Sequence, residues 1–203
     1  MPVKVVIMRG IPGSGKSHLA GLLAKEYDGV TKICSADYWH ERSGEYKWDP
    51  KQIGRAHLEC RRAFHNALFK HDPGHDWGPD TVPPGLIIVD NTNTTPAEIA
   101  FYQELASLYT QDITIYHVVP PGYKKPKMNH RREVETLDVH DDWIHSCAER
   151  NQHGVPLDSI YKMWNRIHEN KLPWHWNEVK ITRHEGYFTL NDQATIWRCD
   201  ESS

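Results

Sequence analysis

Eight consecutive residues, Gly10, Ile11, Pro12, Gly13, Ser14, Gly15, Lys16 and Ser17, fit the spacing G-x-x-x-x-G-K-[ST] in full. Glycines at these positions let the backbone wrap closely around an anion and aim its N–H groups inward. A helix after the loop adds its positive N-terminal end. Lys16 then reaches the β- and γ-phosphates of a nucleoside triphosphate, and the Ser17 hydroxyl is a magnesium ligand. His18 follows directly and closes the stretch expected to touch the nucleotide. The competing reading is a chance match in a Gly-rich turn. The apolar run before the loop and the amphipathic stretch after it weigh against that.

Two carboxylates stand where a phosphate-binding loop needs them. Asp90 ends the apolar run of residues 86 to 90, LIIVD. An acid at such a strand end holds magnesium, directly or through water. It can also cap the following turn of Asn91, Thr92 and Asn93, and the two roles are compatible. Asp37 lies 21 residues after Lys16, beyond a short β-prone stretch. A phosphoryl acceptor must be held in line, and a carboxylate can orient its hydroxyl or take its proton. Helix capping is the competing role for Asp37.

The elements that must position these groups alternate. Residues 3 to 8, VKVVIM, are an apolar run suited to a strand covered on both faces. Residues 17 to 27 carry Leu19, Leu22 and Leu23 at helical spacing, and residues 31 to 35 make a second short strand. Residues 50 to 69 place Ile53, Ala56, Cys60, Ala63, Phe64, Ala67 and Leu68 on one helix face. A Gly/Pro/His-rich loop spans 71 to 85, and a third strand 86 to 90. Thr95, Pro96 and Glu98 read as a capping box with Pro at the first helical position, opening a helix to about Tyr109. Strand 113 to 119, an irregular basic stretch 120 to 135, and helices over 141 to 150 and on to about 169 follow. Strands 178 to 182, 186 to 190 and 194 to 198 end the chain, the last two as a hairpin. Such alternation implies an α/β fold with a parallel sheet, right-handed crossovers and one domain over residues 1–203. Ligands on these sheets bind at the carboxyl ends of the strands. The loop, Asp37 and Asp90 each follow a strand and should converge there.

The ordered motifs GIPGSGKS, SADYW (35 to 39), Tyr46-Lys47-Trp48-Asp49-Pro50, Ala56 with His57, VDNTN (89 to 93) and RNQHGVP (150 to 156) resemble the polynucleotide-kinase-type P-loop kinases over residues 3 to 170. The resemblance includes the branch with S-x-D-D-Y, Y-x-F-D-P and R-N-x-H-x-V-P motifs. It implies a three-layer P-loop kinase fold, with a helical lid over about 140 to 170 and a short C-terminal β tail. It implies ATP and Mg²⁺ as cofactors. Asp37 matches the catalytic carboxylate that activates the acceptor hydroxyl, and Asp90 the strand-end acid. Arg150 matches a lid arginine on the donor phosphates, where its charge stabilises the transferring group. A surface arginine satisfying helix-end carbonyls is its alternative role. Viral members carry an Arg three residues after the catalytic Asp, where this chain has His40. Their second lid arginine falls near Gln152 or His153.

These departures bear on the acceptor. His40, Arg55 and Asn93 join Asp37 as candidate acceptor-binding residues. Arg55, Arg61, Arg62 and His65 accompany Tyr38, Trp39 and Trp48 in sequence. Cations with aromatics suit a single-stranded or flipped nucleotide. A solvated helix face and core aromatics are the other reading. Lys124, Lys125, Lys127, Arg131 and Arg132 suit a nucleic-acid backbone or a plain charged loop. The preferred partner is a nucleic acid, DNA before RNA, or a nucleotide, phosphorylated at a 5′-hydroxyl end. A hydroxymethyl group of a modified base is the other site, as kinases of DNA viruses that resemble this chain act on such bases. A small-molecule kinase for a polyol or nucleoside, and an ATP-binding regulatory module with little transfer, are the alternatives.

Composition sets the outer limits. The net charge of −3 excludes a strongly basic nucleic-acid coat. The mean hydropathy is −0.69, and no apolar run approaches a membrane span. The first residues read as a strand, not a signal peptide. Cys34, Cys60, Cys147 and Cys199 lack paired spacing, which points to reduced thiols in a cytoplasmic protein. Fourteen His raise the possibility of zinc at Cys60, His65, His71 and His75. No C-x-x-C or H-E-x-x-H spacing accompanies them, so they read as surface or loop histidines. Trp174 and Trp176 are expected to pack.

Overall fold

The computed structural model describes residues 3–42, 44, 49–72, 74, 78, 81–123, 140–184, 187–190 and 195–198. Tyr46, Lys47, Trp48, His75, Cys199 and the basic stretch from Lys124 to Arg132 lie outside the described residues.

The strands are β1 (Lys4–Arg9), β2 (Thr31–Cys34), β3 (Leu86–Val89), β4 (Ile113–Val119), β5 (Glu178–His184), β6 (Tyr187–Leu190) and β7 (Thr195–Arg198). Among the described residues they form one sheet in the order β2-β3-β1-β4-β5-β6-β7. The first five are mutually parallel, and β6 and β7 extend the edge antiparallel. The helices are α1 (Lys16–Glu26), α2 (Asp37–Glu41), α3 (Ile53–Phe69), α4 (Pro96–Ser107), α5 (Asp141–Glu149) and α6 (Leu157–Glu169). The expected alternation and C-terminal hairpin are present, with ends shifted by one or two residues.

Strand periodicity explains the layers. Val5 and Ile7 of β1 face one side with Cys60, Phe64 and Leu68 of α3 and Ile99 and Tyr102 of α4. Val6 and Met8 face the other with Leu19 and Ala20 of α1, Ile181 of β5 and Phe188 of β6. Both faces are dry, so the run reads apolar without alternation. A third cluster joins Ile144 and Cys147 of α5 to Ile160, Trp164 and Ile167 of α6. Ile11 of the Gly-rich loop is fully buried in that cluster, so the lid packs directly on the phosphate loop.

The capping box at α4 is formed. The Thr95 hydroxyl accepts from the Glu98 N–H at 3.3 Å, and Glu98 Oε2 accepts from the Thr95 N–H at 3.2 Å. The expected helix over 50–69 begins with a 3-10 turn at Pro50–Gln52, capped by Asp49 accepting from the Lys51 N–H. The five-residue α2 has no counterpart in the sequence reading, because it is too short to show a period.

Two expectations are corrected. Trp174 is 94 % exposed, while Trp176 packs on the α3–α4 side of the core. The Trp176 N–H donates to Pro173 O at 3.1 Å, and this tight turn throws Trp174 outward. Not all histidines are at the surface: His40, His117 and His140 are buried. His117 of β4 sits between Lys180 Nζ (2.6 Å) and Glu178 Oε1 (3.1 Å). Burial, with Lys180 beside it, pushes its pKa down to about 3, so the ring is neutral. Among the described residues no cluster of His, Cys, Asp and Glu could hold a metal ion, and no helix is long and apolar enough to cross a membrane.

Candidate active site

The carboxyl ends of β1, β2 and β3 open into a cleft of about 740 Å³. Its floor is the Gly-rich loop, where two glycines answer specific demands. Gly13 has φ +72°, and a Cβ there would lie 1.8 Å from the Cys147 carbonyl oxygen of the lid. Gly15 has φ +101° and is the residue before α1, whose first turn closes with the Leu19 N–H donating to Gly15 O at 3.0 Å. No other residue type holds both the backbone angle and the close lid contact at Gly13. The loop is tied to the end of β3 by the Gly10 N–H donating to Thr92 O at 3.0 Å.

Lys16 is buried, and its ammonium donates to Ile11 O at 2.8 Å. Burial lowers its pKa, opposed by the charges of Asp90, Cys147 and Asp37. An ammonium carries three donors, and this is its one hydrogen bond among the described residues. The donor set left over fits phosphate oxygens. Asp90 is also buried, and its pKa is raised by that burial, while Lys16 and a hydrogen bond from the Ser17 hydroxyl pull it back. Ser17 and Asp90 thus present two oxygens side by side at the start of α1, a hard-ligand pair that fits magnesium.

Asp37 opens α2 on the opposite wall. The Asn91 side chain sets this wall by accepting from the Ala36 N–H at 3.0 Å and donating to Cys60 Sγ at 3.3 Å. Ser35 Oγ accepts from the Asp37 N–H at 3.2 Å. The Asp37 carboxylate is part-exposed and faces the lid, with His153 Nε2 3.7 Å from its Oδ2. Arg150, at the end of α5, donates through Nε to Gly13 O at 3.2 Å and through Nη2 to Cys147 Sγ at 3.4 Å. Burial pushes the Cys147 thiol up to about 11, which keeps it protonated.

The structure therefore gathers Pro12, Gly13, Gly15, Lys16, Ser17, His18, Asp37, His40, Asp90 and Arg150 on one cleft. Gly10, Ile11 and Ser14 lie beneath its floor, buried in the loop. Two expected acceptor residues are placed elsewhere. Asn93 is buried with φ +46°, and its side-chain amide donates to Met8 O at 2.7 Å, fastening the β3 turn to β1. Arg55 is outside the cleft, paired with Glu59 at 2.8 Å and lying 5.3 Å over the Trp39 ring. His57, His153 and Arg183 also line the cleft, though sequence spacing gave none of them a role. His153 sits in RNQHGVP and His57 follows Ala56 in the ordered motifs, so both had a signal. Arg183 had none.

The fold is the three-layer α/β fold of P-loop kinases. A sugar kinase from Janibacter sp. HTCC2649 superposes with a TM-score of 0.51 at 13 % identity, over 89 % of this chain and 86 % of that one. No family model matches the sequence. The chain is similar to human NEDD4-binding protein 2, 28 % identical over 160 residues, covering 78 % of this chain and 7 % of that protein. It is also similar to 2′,3′-cyclic-nucleotide 3′-phosphodiesterase of Rattus norvegicus, 25 % identical over 174 residues, covering 82 % of this chain and 32 % of that protein. The chain thus corresponds to a minor part of each relative's length.

Proposed function

We propose that this protein is an ATP-dependent kinase that transfers the γ-phosphate to a hydroxyl of a nucleic acid or nucleotide. One observation carries the reading: Asp37 faces the same cleft as Lys16, Ser17 and Asp90, under a lid that brings Arg150 and His153 to it. Lys16 and the loop N–H groups bind the donor phosphates. Ser17 and Asp90 would hold magnesium, which would supply positive charge to offset that of the donor phosphates. Asp37 orients the acceptor hydroxyl and takes its proton as that oxygen bonds to the γ-phosphorus. The bond from the γ-phosphorus to the β,γ-bridging oxygen breaks, and ADP leaves. Arg150 and Lys16 offset the charge spread over the transferring group.

Support for a nucleotide acceptor comes from the wall beside Asp37. Tyr38 is exposed, and the Trp39 ring carries the Arg42 guanidinium at 3.8 Å and Arg55 at 5.3 Å. Aromatic rings with cations bind bases and phosphates together. One of the two relatives acts, by its name, on cyclic nucleotides, which fits the same class. His40 is buried at the cleft wall and leaves the contact with an acceptor phosphate to Arg42.

The test is transfer from γ-labelled ATP to a panel of 5′-hydroxyl DNA and RNA, duplex DNA with hydroxymethyl bases, nucleosides and small polyols. Label on a nucleic acid or nucleoside, lost roughly 10²–10⁴-fold in Asp37→Asn with ATP binding retained, is the expected result. Label on polyols alone would overturn the acceptor class. ATP binding without transfer to any acceptor would leave a nucleotide-binding module.

A further inference from the structure

The donor site has a cation that the lid does not supply. Arg183 lies on β5, near the end of the parallel part of the sheet, and its side chain runs across the phosphate loop. A Cβ built on Gly15 would be 2.8 Å from Arg183 Cδ and 3.4 Å from both Nε and Nη1. The guanidinium therefore rests at the N-terminus of α1, where the loop N–H groups gather around an anion. Arg183 also lines the cleft together with Gly15, Lys16, Ser17 and His18.

The sheet extension holds it there. Arg183 is the antiparallel cross-strand partner of Phe188 on β6, and such partners share a face of the sheet. Phe188 is fully buried beside α1 and stacks on the His18 ring at 5.9 Å. The β5–β6 hairpin thus fixes Arg183 over Gly15 and His18, on the α1 side of the cleft.

We propose that Arg183 is a donor-binding residue whose guanidinium contacts the phosphates of the nucleotide from β5, beside Gly15. The proposal rests on the reading of the loop as a nucleotide site. It gives the antiparallel β5–β6 pair a role, since β6 keeps the arginine in place. The donor is then held by three cations from three elements: Lys16 of α1, Arg150 of the lid and Arg183 of β5.

The experiment is calorimetric titration of MgADP into wild type, Arg183→Ala and Arg183→Lys, with urea unfolding of each unliganded protein. A phosphate contact by an arginine is a charge-assisted hydrogen bond, so Arg183→Ala should weaken MgADP roughly 10- to 100-fold. Arg183→Lys should recover part of that loss, and the unliganded midpoints should agree. Unchanged MgADP affinity in Arg183→Ala would overturn the proposal. So would a loss equal in both variants that tracks a fall in the unfolding midpoint, since that marks a packing role. Wild type that fails to bind MgADP would overturn the nucleotide-site reading itself, which separates the two failures.

Discussion

Gly13→Ala tests whether the lid and the phosphate loop are one mechanical unit. The added Cβ would sit 1.8 Å from Cys147 O, about 1.2 Å inside the 3.0 Å that real Cβ atoms keep. The obstacle is backbone at the end of α5, so no side-chain rotation relieves it. The φ of +72° adds roughly 1–2 kcal/mol for a residue with a Cβ. Moving the lid back by that distance stretches the 3.2 Å bond from Arg150 Nε to Gly13 O beyond hydrogen-bond range. Its loss contributes about 1 kcal/mol more at this part-exposed site. Urea unfolding should therefore show a loss of about 2–3 kcal/mol. Turnover should fall about 100-fold, as expected when a catalytic group is displaced by about 1 Å. Gly21→Ala is the internal control. It lies in the interior of α1 with nothing within 4 Å of a Cβ, so it should gain about 0.5–1 kcal/mol. Wild-type stability and turnover in Gly13→Ala would refute the coupling of lid to loop.

Three other outcomes follow from the same structure. His117 has a folded pKa of about 3 against an ordinary 6.5, so below pH 6.5 the unfolded chain binds a proton that the folded one does not. Stability is full above about pH 6.5 and falls as the pH drops towards 3; unfolding at pH 5 should show a loss of about 2 kcal/mol, abolished in a stable His117→Gln variant. Asp90→Asn should leave the fold intact and raise the magnesium concentration needed for half-maximal transfer by tenfold or more, read from a metal titration. Thr95→Ala removes the hydroxyl of the capping box and should cost about 1 kcal/mol in urea unfolding, with nucleotide affinity unchanged.

Local chemistry determined a large share of this protein. The loop from Gly10 to Ser17 needs its glycines and lysine wherever it is placed, and the capping box needs only Thr95 and Glu98 three residues apart in one helix start. The buried strands declare themselves because both faces are covered, so β3 is apolar throughout and β1 is apolar between Lys4 and Arg9. The helical period of α3 follows from one face meeting a core. Tertiary structure decided what no spacing encodes. Asn93 reads as a cleft residue beside Asp90, yet a positive φ turns its amide back onto Met8 O. Arg55 shares a helix with residues near the site, but its face of α3 meets Glu59 and Trp39. Arg183 carries no motif. It reaches the phosphate loop only because β5 pairs with β4 and β6 lays Phe188 against α1. His153 comes within 3.7 Å of Asp37 because the lid folds back over the loop on the buried side chain of Ile11. Residues within one element are related by its period, which a sequence displays. Residues brought together from different elements are related by packing, which exists only once the layers have closed.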